Sequence, residues 1–253
     1  MNGALVTGAG LRIGRALALA LAADGFFVFV HYKASAAGAR ETVAAIRKAG
    51  GKALAVRADL ASARQAEALV AKCRARGVRL TCLVNSASLF KLDRAPTATA
   101  ADFDLHMAIN LRAPLLLSQA LARQLHANET GLVVNVLDQK LFNLNPDFLT
   151  YTLSKVGLQG LTTLLAQSFA PRLRVAGIAP GLTLRSGSQT DARFAEQHAA
   201  NPLGVGVTVD DLVRALRFIV ATPSYTGDTL VVDGGEHLIG RPRDIAFDTK
   251  KKK

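Results

Sequence analysis

Tyr151 and Lys155 stand four residues apart in the run Tyr151-Thr152-Leu153-Ser154-Lys155. On a helix that spacing puts both side chains on one face. An ammonium beside a phenol favours the phenolate and draws the tyrosine down from its ordinary value of about 10. The result is a proton donor usable near neutral pH. Tyr and Lys fall at this spacing often by chance, so the elements around them decide whether the pair is chemistry or surface.

Those elements alternate from end to end. Short apolar runs read as strands at Ala4–Thr7, Phe26–His31, Ala53–Arg57, Cys82–Asn85, Leu132–Leu137, Arg174–Ile178 and Thr229–Val232. Several are apolar throughout, as strands covered on both faces are. Between them lie helical patterns at Ile13–Ala23, Ala36–Ala49, Ser62–Arg76, Ala100–Leu125, Phe148–Ala170 and Val209–Ala221. The alternation predicts an α/β fold, a doubly wound parallel sheet of seven strands with helices on both faces. One domain is expected over residues 1–245, since 253 residues are within reach of a single α/β unit. Residues 182–207 carry Gly, Ser, Thr, Asn and Pro with weak periodicity. They are expected to form an irregular substrate loop.

The first strand runs into Thr7-Gly8-Ala9-Gly10-Leu11-Arg12-Ile13-Gly14, and a helix follows. Small residues there let the chain turn tightly and bring backbone N–H groups against a pyrophosphate at the positive end of the helix. A dinucleotide site for NAD carries an acid at the end of the second strand to hold the ribose 2′-hydroxyl. Here that strand ends His31-Tyr32-Lys33-Ala34-Ser35, without a carboxylate. Lys33 and Arg12, with the Ser35 hydroxyl, suit a 2′-phosphate, so NADPH is the expected cofactor.

The net charge of +12 invites a nucleic-acid reading. The Lys and Arg are spread along the chain, however, and the aromatics do not interleave with them. Steering of anionic cofactors or substrates is the better use of such a field. The Lys250-Lys251-Lys252-Lys253 run is expected to end a solvated, frayed tail over residues 246–253. Cys73 and Cys82 read as buried free thiols, and the five His show no metal-ligand spacing. There is no apolar span of about twenty residues and no signal-peptide pattern at the N-terminus, so a cytoplasmic, membrane-free protein is expected.

Taken in order, these pieces resemble the short-chain dehydrogenases/reductases over essentially the whole chain. The matching runs are Thr7-Gly8-x3-Arg12-Ile13-Gly14, Asp59-Leu60, Asn85-Ser86-Ala87, Asn110, Tyr151-x3-Lys155, Pro180-Gly181 and Val232-Asp233-Gly234-Gly235. The resemblance implies a Rossmann-type dinucleotide fold. It also implies that Asp59 contacts the adenine and that Asn85 and Ala87 line the cofactor. Pro180 and Gly181 would flank the nicotinamide, with Thr183 near its carboxamide. Tyr151 would donate the proton and Lys155 would bind the nicotinamide ribose. Asn110 would hold a water in a proton relay. Relatives of this kind are mostly tetramers built on the long helices, here Ala100–Leu125 and Phe148–Ala170, so a homotetramer is expected.

One departure has chemical weight. Most of the family places a catalytic Ser about thirteen residues before the Tyr, and here that position is Asp138. A serine hydroxyl donates to the carbonyl oxygen being reduced, whereas an ionised carboxylate cannot donate and would repel the developing oxyanion. Three readings remain open. Asp138 is a protonated group or relay serving reduction of a C=N bond, or it accepts hydrogen bonds from substrate N–H groups, or the enzyme is dead or tolerant of the swap.

Asp138, Arg12, His31-Tyr32-x-x-Ser35 and Ser88-Leu89-Phe90 together resemble the pteridine reductases. That branch implies a pterin stacked on Phe90, with Ser88 bonding substrate or cofactor. Rival readings are a short-chain reductase of ketones, 3-oxoacyl thioesters or sugars, and a cofactor-sensing binding protein without chemistry.

Overall fold

In the computed structural model, residues 2–185 and 189–247 are described. Seven strands form one parallel sheet: β1 (Asn2–Val6), β2 (Phe27–Tyr32), β3 (Lys52–Arg57), β4 (Arg79–Asn85), β5 (Gly131–Val136), β6 (Leu173–Pro180) and β7 (Thr229–Val232). Their order is β3-β2-β1-β4-β5-β6-β7. The order reverses between β1 and β4, and the crevice outside the carboxyl ends of those two strands is where such sheets take a ligand.

Side-chain alternation along each strand feeds two cores. On β1, Ala4 and Val6 face one layer, and Leu5 faces the other. The first core is closed by α1 (Arg12–Ala23), α2 (Ala36–Lys48) and α8 (Val209–Ala221), through residues such as Leu17, Ile46 and Leu216. The second is closed by α3 (Ala63–Arg74), α5 (Ala113–Gln124) and α6 (Leu149–Phe169), through Leu69, Leu117 and Leu165. Fully burying each such leucine stabilises the fold by roughly 1.5–3 kcal/mol. Both cysteines are buried and free, and burial pushes each thiol up to about 12. No helix among the described residues is long and apolar enough to cross a membrane.

Three sequence expectations need correction. The single helix expected over Ala100–Leu125 is interrupted: α4 (Ala100–Met107) passes into a π-helical turn, Ala108–Arg112, before α5. Pro114 is the physical reason on the sequence side, because it has no N–H to close the i→i−4 bond onto the Asn110 carbonyl.

The loop expected to be irregular holds α7 (Asp191–His198). The Thr190 hydroxyl caps it by accepting from Arg193 N, and the Phe194 and His198 rings stack one turn apart, with centroids 4.6 Å apart. These local terms outweigh its weak apolar period.

The tail expected to fray from residue 246 begins docked. Ile245–Phe247 is a helical turn, and the Phe247 ring lies 5.9 Å from that of Phe148. Arg243 and Asp244 anchor it on buried Asp147, while residues 248–253 lie outside the described residues.

Candidate active site

The turn after β1 is built around close contacts. A Cβ at Gly14 would lie 2.5 Å from the Gly8 carbonyl oxygen, so α1 starts directly against the loop. Gly8 has φ +66°, and a Cβ there would meet Ala87 Cα at 2.9 Å. Thr7 ties this turn to the one after β4: its hydroxyl accepts from Ser86 N at 2.9 Å and Ala87 N at 3.0 Å. His31 ties it to β2 by accepting from Gly8 N at 3.2 Å, while its Nε2 bonds the Ala58 carbonyl. Burial lowers His31 to about 4, so it serves as a neutral brace. This is a cradle of backbone amides with no room for side chains, and it fits a pyrophosphate. Gly10 belongs to it, packed against Ser35, while Ile13 and Tyr32 pack on the first core behind it.

At the outer end, Lys33 Nζ lies 2.9 Å from Asp59 Oδ2, and both side chains are partly exposed. The expected adenine contact and the expected 2′-phosphate cation thus meet as one ion pair. Desolvation is the largest single influence on Asp59 and pushes it up, but the Lys33 hydrogen bond and charge, with the Ala61 N–H, together outweigh it and hold the carboxyl below its usual range. Arg12 sits in the left-handed region, φ +55°, and its guanidinium donates to the carbonyls of Leu184 and Arg185. It therefore joins the glycine turn to the segment that follows β6. Leu60 is buried in the second core, so its side chain packs inward.

The carboxyl ends of β4, β5 and β6 carry the reactive groups. Tyr151, in the first turn of α6, donates its hydroxyl to Asp138 Oδ2 at 2.6 Å. Asp138 Oδ1 accepts from Lys140 N at 2.9 Å, so both carboxylate oxygens are engaged. Lys155 Nζ donates to the Val136 carbonyl at 2.7 Å and lies 5.8 Å from the Tyr151 ring centre. Tyr151 and Lys155 are buried, and Asp138 is partly buried. Burial raises Asp138, with the Tyr151 hydrogen bond opposing. Burial lowers Lys155 to about 8, with Asp138 opposing.

Tyr151 overturns the expectation of a lowered phenol. Burial, and then the neighbouring Asp138, push it well above its ordinary value. A carboxylate that accepts the phenolic hydrogen favours the phenol over the phenolate, and this outweighs the ammonium at its greater distance. The pair therefore holds its proton firmly between two oxygens.

Asn110 stands on the π-turn. Its side chain accepts from Leu89 N at 2.8 Å and donates to Leu89 O and to Ser154 Oγ, each at 3.0 Å. Its side chain is therefore fully engaged in joining the π-turn to the loop after β4 and to α6. Asn85 donates to Asn135 Oδ1 at 2.8 Å inside the sheet, so Ala87 and the backbone, rather than the Asn85 amide, face the crevice. Pro180 ends β6. Gly181 lies against Asp233 and Glu236, and Thr183 donates to the Gly181 carbonyl at 2.9 Å.

Phe90 is half exposed at the mouth. Its ring stacks on Phe148 at 4.2 Å and meets the Tyr151 ring edge-on at 4.7 Å. Ser88 beside it is exposed, with its hydroxyl on the Leu89 carbonyl.

The chain from residue 2 to 197 matches the family model of the short chain dehydrogenases. The chain belongs to the short-chain dehydrogenase family. A 3-oxoacyl-[acyl-carrier-protein] reductase of Synechocystis is 30% identical over 241 residues, which cover 92% of this chain and 95% of that one. An uncharacterized oxidoreductase of Methylorubrum extorquens is 33% identical over 240 residues, 92% of this chain and 96% of the relative. Among solved structures, FolM alternative dihydrofolate reductase 1 from Brucella suis, in complex with NADP, superposes with a TM-score of 0.90 at 38% identity, covering 94% of this chain and 96% of the other. The short-chain dehydrogenase described here is thus an oxidoreductase of the kind whose solved neighbours include NADP complexes.

Two groups at this site escaped the sequence reading. Glu236 is buried against Gly181, and burial raises it to about 7. It directly follows Asp233-Gly234-Gly235, and that adjacency was the available signal. Phe148, read only as a helix start, supplies the platform under Phe90 from a left-handed backbone position, φ +55°.

Proposed function

We propose that this short-chain dehydrogenase is an NADPH-dependent reductase of a C=N bond in a pterin, dihydropterin or dihydrofolate-type substrate. The Tyr151–Asp138 hydrogen bond carries the reading. A ketone reductase needs a second donor at the carbonyl oxygen, and here that position is filled by a partly buried acceptor. Reduction of C=N instead asks the site to deliver a proton to nitrogen. A phenol and a carboxyl that share a proton do that. The FolM neighbour, named as an alternative dihydrofolate reductase, supports the same substrate class.

Gly8, Gly10, Gly14 and Ala87 would cradle the pyrophosphate, and Lys33, with Arg12 and Ser35, would take the 2′-phosphate. Pro180, Gly181 and Thr183 would wall the nicotinamide, and Lys155 would hold its ribose. Bound there, the reduced nicotinamide supplies the hydride. Phe90 offers its exposed face to the flat substrate ring by offset stacking. Tyr151, recharged through Asp138, protonates the nitrogen.

The 3-oxoacyl reductase relative favours a second reading, a ketone or thioester reductase. NADPH oxidation followed with dihydropterins, dihydrofolate and 3-oxoacyl thioesters separates the two. Turnover of the pterins supports the proposal, and turnover of the oxoacyl thioesters alone defeats it. A homo-oligomer built on α4 and α6 fits the exposed Leu105 on α4 and Leu153, Val156 and Leu164 on α6.

A further inference from the structure

The catalytic helix α6 begins without a cap of its own. Phe148 occupies its N-cap position in the left-handed region and offers no side-chain acceptor. The orphan N–H groups of that first turn still need partners, because the turn is buried. Asp93, from the loop after β4, provides them. Its carbonyl accepts from Leu149 N at 3.4 Å, its carboxylate Oδ1 from Thr150 N at 3.1 Å, and its Oδ2 from the Thr150 hydroxyl. Thr150 Oγ1 in turn meets His106 Nδ1 of α4 at 2.9 Å. Asp93, Thr150 and His106 are all essentially buried.

We infer that Asp93 is a positioning residue of the active site, which sets Tyr151 against Asp138 and against the Phe90 loop by capping the catalytic helix from outside it. Tyr151 is the next residue after the one Asp93 holds twice. Phe90 lies three residues before Asp93 on the same loop, and the Phe90 and Tyr151 rings are already in edge contact. One buried carboxylate thus fixes the group proposed to bind substrate and the group proposed to protonate it. Negative charge at a helix N-terminus adds a favourable dipole interaction. Without the cap, the first turn of α6 would fray and Tyr151 would drift from Asp138.

The inference rests on Tyr151 as the acid of the site and not on which substrate is reduced, so it is tested without substrate. The chain has three tyrosines and no tryptophan, which makes phenolate absorbance near 295 nm a direct readout. Burial and then Asp138 push Tyr151 well above its ordinary value, so the wild type is expected to keep it protonated beyond the range where an ordinary phenol titrates. Asp93→Ala is expected to add one tyrosine, a third of the full absorbance change, to those ionising below about pH 11. Tyr151→Phe in the same background should remove that increment. Asp93→Asn, which keeps an oxygen acceptor for Thr150 N, should restore the wild-type profile.

With any substrate the enzyme turns over, kcat of Asp93→Ala should fall about tenfold to a hundredfold, with NADPH affinity within about threefold of wild type. Thr150→Val keeps volume and backbone while removing the hydroxyl, and it should move both readouts in the same direction by less. It decides the matter if Asp93→Ala fails to fold. A folded Asp93→Ala, or failing that a Thr150→Val, with wild-type titration and wild-type kcat would overturn the inference. Failure of every pterin to react would leave the titration result standing on its own.

Discussion

The Tyr151 hydroxyl, itself buried, donates to the partly buried Asp138 Oδ2 at 2.6 Å. A phenol bonded to a carboxylate is a reluctant acid alone and a ready one when the carboxylate carries the next proton. Lys155, on the same helix face, balances the charge of that pair without touching the oxygens.

Lys155 must be an ammonium to play this part. Burial brings it down to about 8, so it is charged below that pH and neutral above it. The kcat/KM for NADPH, which reports the free enzyme, is expected to fall as pH rises through about 8. Lys155→Arg should remove that alkaline limb, because a guanidinium stays charged, though at lower overall rate. A flat wild-type profile from pH 7 to 9 would count against this role.

Gly14→Ala tests the phosphate cradle. Its Cβ would fall 2.5 Å from the Gly8 carbonyl, a backbone group that cannot yield cheaply. NADPH binding, measured by titration calorimetry, should weaken by at least about a hundredfold while the circular dichroism spectrum is kept.

Lys33 should select NADPH over NADH. Losing one charge-assisted contact to a phosphate costs about 1.5–3 kcal/mol, or roughly tenfold to a hundredfold in affinity. Lys33→Ala should reduce the NADPH-to-NADH ratio of kcat/KM by that amount. Thermal stability should barely move, since the Lys33–Asp59 pair is solvent-exposed.

The sequence carried the sheet and the neighbourhood of the candidate groups, because both are written in local pattern. Strand runs such as Cys82–Asn85 fall within the observed strands, and Tyr151, Lys155 and Asp138 do meet. What it did not carry depends on long-range packing. The raised Tyr151 needs the depth of the pocket and the rotamer of Asp138, neither of which spacing conveys. The break at Asn110 was partly legible in Pro114, four residues on. The docking of Phe247 on Phe148 needs Arg243 and Asp147, which are ninety-six positions apart. Asp93 gives no local sign of capping a helix that starts beyond α5 and β5.

Asp147 joins the C-terminal segment to the approach of α6. Its buried carboxylate accepts from Arg94 Nε, Arg243 Nε and Nη2, and Asp244 N. The Arg243 hydrogen bond leads in holding it well below the usual carboxylate range. A lowered carboxyl contributes stability that is present above the unfolded value of about 3.9 and lost as pH falls below it. Asp147→Ala is expected to cost about 2–4 kcal/mol at pH 7, since hydrogen bonds to charged groups are worth about 1.5–3 kcal/mol each and are not additive. Denaturant melts at pH 7 and pH 3 should show the gap between wild type and variant beginning to narrow at the lower pH, with the rest lost only as pH falls through the still lower folded-state value.

The most direct test compares kcat/KM for a dihydropterin and for a 3-oxoacyl thioester in the wild type and in Asp138→Ser. The wild type is expected to reduce the dihydropterin with NADPH, and the serine variant to lose that activity by about a hundredfold, the scale of a general-acid contribution. A serine variant that keeps full pterin reduction, or a wild type that reduces only the thioester, would contradict the assignment of Asp138 and Tyr151 as the proton source for a C=N bond.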